Sequence, residues 1–264
     1  MKKSNKSIPG ISIIIPCYNE ENNLRRGVLD QVKSFLTKQS YPWEVLICND
    51  ASTDKSLIFL QKFHQNNPNF RLIDLPHGGK ASAIWGGVQQ ARFPYVLFTD
   101  MDQSTPINEL SKLLPYISEN YQAIIGSRGV SRDNTSIIRK IMSSVFFVFR
   151  KSLLLSSLND TQCGFKVFNT KIIKQLFPYL AAIKNQVQSS GWRVSAYDVE
   201  LLFLIEKNGF KIKEVPVAWK NEDTSTSKGD SSRFKKESIN MAKEVIRVKL
   251  NDIKGLYQHC NAKI

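Results

Sequence analysis

Two carboxylates, Asp100 and Asp102, stand one residue apart directly after the apolar segment 95–99. Charges of like sign this close repel each other unless a cation lies between them. Divalent cations such as Mg²⁺ prefer oxygen ligands, and proteins commonly hold them with one or two carboxylates that share the ion with substrate phosphates. The spacing therefore predicts a divalent cation at this point. The alternative is that Asp102 only caps a helix that starts near Pro106.

A third carboxylate, Asp50, ends another apolar segment, and both segments belong to a regular alternation. Strands are predicted over 11–20, 43–50, 70–76 and 94–100, and helices over 20–38, 52–65 and 78–92. Strands that alternate with helices in this way are typical of a parallel sheet, whose ligands bind at the carboxyl ends of the strands. We therefore expect Asp50, Asp100 and Asp102 to gather along one edge of the sheet.

The rest of the chain changes rhythm but shows no internal repeat and no clear linker. Helices are predicted over 107–117, 136–158, 170–180, 198–209 and 233–256, and strands over 122–128, 164–169 and 211–220, the last with Pro216 at a sheet edge. Residues 221–232 are polar, with four Ser and one Gly, which predicts a mobile loop. The expected architecture is a single α/β domain, 1–264, with a mostly parallel central sheet flanked by helices.

The chain is strongly basic. Among its 264 residues, 37 Lys and Arg oppose 23 Asp and Glu, which gives a net charge of +14. This excess favours a polyanionic partner, and nucleic acid, an anionic membrane face and a phosphorylated substrate all qualify. A nucleic-acid-binding module without enzymatic activity ranks lowest, because carboxylates clustered at a sheet edge would repel phosphates unless a metal intervened. We expect no nucleic acid partner.

Cysteine usage and the start of the chain indicate a reducing, cytoplasmic setting. The four cysteines are far apart and form no metal-type pair, and the lysine-containing start lacks the apolar core of a signal peptide. The most apolar helical candidate, 141–158, is interrupted by Arg150 and Lys151, whose burial in lipid would be costly. We predict no membrane span and interpret 136–158 and 233–256 as amphipathic helices.

Glycine-based phosphate loops are absent from the sequence. The first predicted strand ends in PCYNEE rather than in the G-x-G-x-x-G of dinucleotide-binding folds, and no Walker A sequence occurs. Phosphate groups would therefore have to be bound by a metal ion and by Lys or Arg side chains.

Four segments, in order and at the expected spacing, resemble the family 2 glycosyltransferases of the GT-A fold: IIIPCYNEE, VLICNDASTDKS, LFTDMDQS and DTQCGFKVF. The last, with IIGSR before it and YDVELLFL after it, is most similar to the branch that contains the dolichyl-phosphate glucosyl- and mannosyltransferases. The resemblance covers residues 10–220, and the Q-x-x-R-W signature of processive synthases is absent. It divides the chain into a nucleotide-binding half, 10–105, and a sugar and acceptor half, 106–220.

The nucleotide-binding residues that the resemblance implies lie in the first half: Pro16, Tyr18, Glu20, Asp50, Lys80 and Asp100. The first three would line the base and ribose. Asp50 would accept a hydrogen bond from the base, and Lys80 would lie near the base or the diphosphate. Many relatives carry two aspartates where this chain has Asn49 and Asp50, a departure that matters little if Asp50 keeps the contact.

The resemblance also implies a metal site and a phosphate site. Asp100 and Asp102 would hold Mg²⁺ or Mn²⁺ against the diphosphate, with Gln103 close to the ion. Arg128 and Arg139 would bind phosphate, in particular that of the acceptor. Without the family resemblance, Arg128 would be interpreted as a surface cation.

A pocket for the sugar and the acceptor is implied around Asp160, Gln162 and Gly164, with Asp198 and Glu200 on a helix that faces it. The alternative for this helix is that Asp198 is an N-cap and Glu200 lies on the solvated face. We favour a functional role for Asp198 and the solvated face for Glu200.

Three further residues near these motifs have ordinary structural explanations. Tyr18 and Trp85 could serve only in packing, and Cys163 is better explained as a small buried residue than as a nucleophile. Among the histidines, His77 is the one that could face the site, because it lies beside the GGK segment.

The activity that the resemblance implies is inverting transfer of a hexose from a nucleotide diphosphate sugar to a polyprenyl or dolichyl phosphate. UDP-glucose is favoured over GDP-mannose as the donor. An alternative keeps the fold but transfers the sugar to a hydroxyl of a soluble or cell-envelope glycan. A lipid acceptor implies peripheral association with the cytoplasmic face of an anionic membrane. Phe146, Phe147 and Phe149 could insert there, although core packing is the simpler interpretation of these side chains.

Overall fold

The computed structural model describes residues 8–128, 154–155, 157–184, 197–220, 222 and 231–263, with backbone only at 231–239 and 241. Most of the predicted helix 136–158, the three phenylalanines, Arg139 and nearly all of the predicted loop 221–232 lie outside these residues.

Within the described chain, seven strands form one sheet in the order β3-β2-β1-β4-β6-β5-β7. The strands are β1 (Ile11–Cys17), β2 (Trp43–Asp50), β3 (Phe70–Leu75), β4 (Tyr95–Phe98), β5 (Ala123–Ser127), β6 (Lys166–Asn169) and β7 (Ile212–Pro216). The first four strands are mutually parallel, as predicted. Strand β6 runs antiparallel to both β4 and β5, whereas β7 is parallel to β5 at the sheet edge. The predicted mostly parallel α/β sheet is confirmed.

The helices described are α1 (Glu21–Arg25), α2 (Val28–Leu36), α3 (Ser56–Gln65), α4 (Gly79–Gln90), α5 (Leu110–Leu113), α6 (Thr170–Leu176), α7 (Ala181–Lys184), α8 (Tyr197–Lys207) and α9 (Ser231–Ile253). Short 3₁₀ turns flank α5 and follow α6. Several predicted helices differ from the structure. The predicted helix 20–38 is divided into α1 and α2 at Gly27, which has a φ of 73°. Leu154, Leu155, Ser157 and Leu158 are not helical. Helix α3 begins four residues later than predicted, because the Ser52 hydroxyl accepts a hydrogen bond from the Asn19 amide instead of capping a helix. No helix among the described residues is both long and apolar enough to cross a bilayer.

Strand β1 is apolar on both sides because helices cover both faces of the sheet. Ile13 and Ile15 point into one core cluster and Ile14 into the other. Helix α4 packs close to the sheet because Gly87 has no side chain. A Cβ at Gly87 would lie 2.7 Å from Ile14 and 2.8 Å from the Cys48 sulfur. This close packing fixes where the first turn of α4, with Lys80, meets the carboxyl edge of the sheet.

Candidate active site

The loops at the carboxyl edge turn sharply as they leave the strands. Asn19, Ala51 and Gln103 follow β1, β2 and β4, and all three have positive φ, at 54°, 53° and 53°. Residues other than glycine rarely adopt this conformation, and it concentrates where a site must aim its groups. The Asn19 side chain accepts from the Thr53 amide at 2.8 Å, which ties the first loop to the second.

Asp50, at the end of β2, organises the start of α4. Its buried carboxylate accepts from the Gly78 amide at 2.7 Å and the Gly79 amide at 3.0 Å, and His77 Nδ1 lies 3.0 Å away. Burial raises the pKa of Asp50 even though these partners favour the charged form. The His77 ring packs against Tyr18 at 4.8 Å between centroids. A contact between Asp50 and a nucleotide base stays a prediction. The base would have to share the Asp50 carboxylate oxygens with the two glycine amides and His77.

Lys80, Asp100 and Asp198 converge where α4, β4 and α8 meet. Lys80 Nζ lies 2.5 Å from an Asp100 carboxylate oxygen. Burial works against the charge on Lys80, but the carboxylates of Asp100 and then Asp198 outweigh it and raise the pKa of the lysine. Lys80 therefore places a positive charge beside the carboxylates, which is the sign of charge that a diphosphate requires.

Gly164 lies directly against the Asp100 carboxylate. A Cβ at this position would be 2.8 Å from Asp100 Cγ and closer still to one carboxylate oxygen. Real Cβ atoms do not approach other atoms so closely, and the backbone conformation of Gly164 is not one that requires glycine. The absent side chain is therefore what makes room for Asp100. The role of Gly164 in a sugar and acceptor pocket stays a prediction.

Asp102 stands in the turn that follows β4. One of its carboxylate oxygens accepts from the Ser104 amide at 2.8 Å, and its backbone carbonyl accepts from Arg26 Nη2 at 3.0 Å. The helical segment after Pro106 has no side-chain cap. The alternative that Asp102 only caps this helix is therefore wrong.

The oxygen atoms around this turn fit a divalent cation. Asp100 and Asp102 supply carboxylates, and the side-chain oxygen of the buried Gln103 has no hydrogen-bond partner among the described residues. The described chain brings no three acidic, histidine or cysteine residues together as a metal site. Two carboxylates and one amide oxygen leave positions for phosphate oxygens, which is how proteins usually hold Mg²⁺.

Arg128 and Asp160 form a bidentate ion pair. Arg128 Nε and Nη2 donate to the two carboxylate oxygens at 2.7 and 2.8 Å, and the Gln162 amide donates to Asp160 at 3.0 Å. The two side chains are only 14% and 13% exposed. The interpretation of Arg128 as a surface cation is wrong. Its guanidinium also lies 5.7 Å from the half-exposed Trp219 ring, which the sequence analysis did not identify.

Replacing Asp160 with asparagine should destabilise the fold by about 3 kcal/mol at pH 7, because it leaves Arg128 without its counter-charge. Burial would raise the pKa of Asp160, but its bonds with Arg128 hold that pKa well below its usual range. A depressed folded pKa contributes stability above the unfolded pKa of about 3.9, and this stability is lost as pH falls below it. Urea unfolding of both proteins should therefore show a difference that shrinks below about pH 4. An equal difference in unfolding free energy at pH 7 and below about pH 4 would contradict the role of the ion pair. Asp30→Asn is the control, because Asp30 is an exposed aspartate.

Lys166 is a residue that the sequence analysis missed. It is 1% exposed on β6, and its ammonium lies 3.1 Å from Asp198 and contacts the Cys163 carbonyl. The one available signal was a lysine between apolar residues of a predicted strand, because a buried lysine requires a partner. Arg26, which donates a hydrogen bond to the Asp102 carbonyl, was also missed, and no feature of the sequence around it indicates this contact.

Glu200 corrects a prediction. It is 1% exposed rather than solvated, and it accepts from Tyr257 at 2.6 Å and from Arg247 Nη2 at 3.1 Å. Asp198 and Glu200 therefore face different surroundings on α8: Asp198 lies at the site, and Glu200 ties α8 to the C-terminal helix.

The structural interpretations of two further residues are confirmed. Trp85 stacks on Phe177 at 5.4 Å with an interplanar angle of 7°. Cys163 is 1% exposed, and burial raises the pKa of its thiol, so it is not an activated nucleophile. All four cysteines are buried and free. Pro16 lies in β1 beside Cys48, and Glu20 accepts from the Asn23 side chain.

Comparison with known proteins identifies related sequences and folds. The family model Glycosyl transferase family 2 matches residues 12–177. The chain is 31% identical to a dolichyl-phosphate beta-glucosyltransferase of Dictyostelium discoideum and 28% identical to that of Saccharomyces cerevisiae, each over 94% of this chain and 76% of the relative. Among solved structures, glucosyl-3-phosphoglycerate synthase from Mycobacterium tuberculosis, in complex with Mn²⁺, UDP and glucosyl-3-phosphoglycerate, superposes with a TM-score of 0.59. It is 15% identical over 91% of this chain and 80% of that one, which supports the fold alone.

Proposed function

Because this chain belongs to glycosyl transferase family 2, we propose that it transfers glucose from UDP-glucose to a polyprenyl phosphate of the dolichyl type. The names of the relatives support glucose as the transferred sugar and dolichyl phosphate as the acceptor. Mannose, donated by GDP-mannose, is the next candidate for the transferred sugar. The nucleotide would bind to the half 10–105 and the acceptor to the half 106–220.

In this proposal the donor lies across the carboxyl edge of β1, β2 and β4. Pro16, Tyr18 and Glu20 border the base and ribose, and the loop that Asp50 holds through Gly78 and Gly79 faces them. Lys80 offers its ammonium to the diphosphate. The geometry supports this role because Lys80 already contacts one carboxylate, so its charge is held within the site.

Asp100 and Asp102, with the Gln103 side-chain oxygen, would hold a divalent cation, Mg²⁺ or Mn²⁺. When bound, such an ion supplies Lewis-acid stabilisation of the charge that develops on the departing diphosphate. Gly164 keeps the Asp100 carboxylate in place by leaving it room. Asp198, paired with the buried Lys166, adds a fixed negative charge near Lys80.

The observation that carries the proposal is that three of the carboxylates at the site are each paired with a cationic side chain. Asp100 pairs with Lys80, Asp160 with Arg128 and Asp198 with Lys166. A neighbouring cation favours the ionised carboxylate and makes it a weaker proton acceptor. This arrangement favours an acceptor that is already ionised, such as a phosphate, over a hydroxyl that must lose a proton to a general base.

The reaction would be a single displacement. An oxygen of the acceptor phosphate forms a bond to C1 of glucose while the bond from C1 to the diphosphate oxygen breaks, and the electron pair leaves with UDP. Arg128, oriented by Asp160, would meet the acceptor phosphate, and Arg139 is proposed to assist. Inversion would convert an α-linked donor into a β-linked lipid phosphate sugar.

The acceptor would place the protein at a membrane surface, and we propose peripheral association with the anionic cytoplasmic face.

Incubation of the protein with radiolabelled UDP-glucose, Mn²⁺ and dolichyl phosphate should yield label in the organic phase. A parallel reaction with labelled GDP-mannose tests the alternative donor. The glucose in the lipid phosphate product should be β-linked. Label that stays in the aqueous phase on a glycan hydroxyl would favour the alternative acceptor, and a retained α-linkage would contradict the single displacement.

A further inference from the structure

The C-terminal helix carries a row of exposed apolar side chains that the catalytic site does not use. Ile246, Leu250 and Ile253 on α9 are 45%, 47% and 70% exposed, and Leu256 in the turn after it is 55% exposed. We call these four residues the C-terminal stripe. They are four of the six large hydrophobic side chains that are exposed in the described part of the chain. Contiguous exposed apolar surface of this kind marks an interaction site.

The orientation of the stripe is fixed by the opposite side of the helix. Val245 and Val248 are fully buried against the core, and Arg247 bonds to Glu200 of α8. Lys207 of α8 lies 2.5 Å from Asp252. These contacts hold α9 in one rotation about its axis, so the stripe cannot turn inward and must face outward.

Charge flanks the stripe in a consistent pattern. At about 100° per residue, Lys243 and Lys249 project about 60° to either side of Ile246. The two acidic side chains described on this part of α9 point elsewhere, because Glu244 pairs with Arg247 and Asp252 with Lys207. The outward face is therefore apolar along its middle and basic along both borders.

We infer that the C-terminal stripe docks the protein on an anionic lipid bilayer, with Lys243 and Lys249 at the level of the lipid headgroups. This inference rests on the proposed function only in that a polyprenyl phosphate resides in a membrane. Apolar side chains bordered by lysines match the acyl boundary and the anionic headgroups of a bilayer. A second copy of the chain fits worse, because it would bring like charges together in a protein whose net charge is already +14.

The test is flotation of the full chain with vesicles of equal parts phosphatidylserine and phosphatidylcholine, and with vesicles of phosphatidylcholine alone. The wild type should float with the anionic vesicles and less with the neutral ones. Leu250→Gln/Ile253→Gln should weaken binding about tenfold, and Lys243→Gln/Lys249→Gln should weaken it about tenfold on anionic vesicles alone. Ile58→Gln is the matched control, because Ile58 on α3 is 65% exposed and lies outside the stripe.

Flotation needs no sugar transfer, so its outcome is separate from that of the proposed function. A protein that floats through the stripe but transfers no glucose would refute the proposed function and leave the docking surface intact. Unchanged flotation of Leu250→Gln/Ile253→Gln, with a folded protein by circular dichroism, would overturn the inference. So would a dimer by analytical ultracentrifugation that this variant dissociates without any vesicle binding by the wild type.

Discussion

Replacing Asp102 with asparagine should lower kcat/KM for glucose transfer about a thousandfold, a loss of about 4 kcal/mol of transition-state stabilisation. Asparagine has the same shape and can still accept the hydrogen bond from the Ser104 amide, so the turn after β4 should keep its structure. The change removes one negative charge from the proposed cation site. The stability gain that Mn²⁺ and UDP together give in a thermal-shift measurement should therefore disappear as well.

Asp30→Asn is the control for this experiment, because Asp30 is an exposed aspartate in the first turn of α2. It removes the same charge at a distance from the site and should leave both activity and the Mn²⁺-dependent shift unchanged. An Asp102→Asn enzyme with wild-type activity and a wild-type response to Mn²⁺ would refute the proposed role of the carboxylate pair.

Replacing Gly164 with alanine should lower kcat/KM about a hundredfold, although it adds only a methyl group. The new Cβ would overlap the Asp100 carboxylate, which would have to rotate away from its position beside Lys80. A displacement of about 1 Å at a reacting centre can cost about a hundredfold in rate. Steady-state kinetics and the thermal shift with Mn²⁺ and UDP should both report the displaced carboxylate.

Gly209→Ala is the matched control, since it makes the same chemical change at the end of α8. Gly209 has a φ of +76° and an open space where a Cβ would go. Alanine there should cost about 1 kcal/mol of stability through backbone strain, with no loss of activity. If Gly164→Ala retained full activity while Gly209→Ala behaved as expected, Asp100 would not depend on the space at Gly164.

The parallel half of the sheet, and the edge where Asp50, Asp100 and Asp102 lie, follow from the amino-acid sequence alone. Continuous apolar runs predict strands buried on both faces, and alternating helices force those strands to run parallel. Asp50, Asp100 and Asp102 were therefore expected at the carboxyl edge, because each one ends such a strand or lies in the turn that follows it. These conclusions need only the local pattern of apolar and polar residues, which can be read from the sequence.

The pairing of the charged groups, in contrast, depends on how distant parts of the chain pack together. Arg128 with Asp160, and Lys166 with Asp198, each join residues 32 positions apart, and the Glu200–Arg247 pair spans 47 positions. Such pairs depend on strand register, on the reversed direction of β6 and on the rotation of each helix about its axis. A shift of one residue in a strand, or of about 100° in a helix, would point these side chains elsewhere. Glu200 illustrates this, because two positions along one helix separate a carboxylate at the site from one buried in the core.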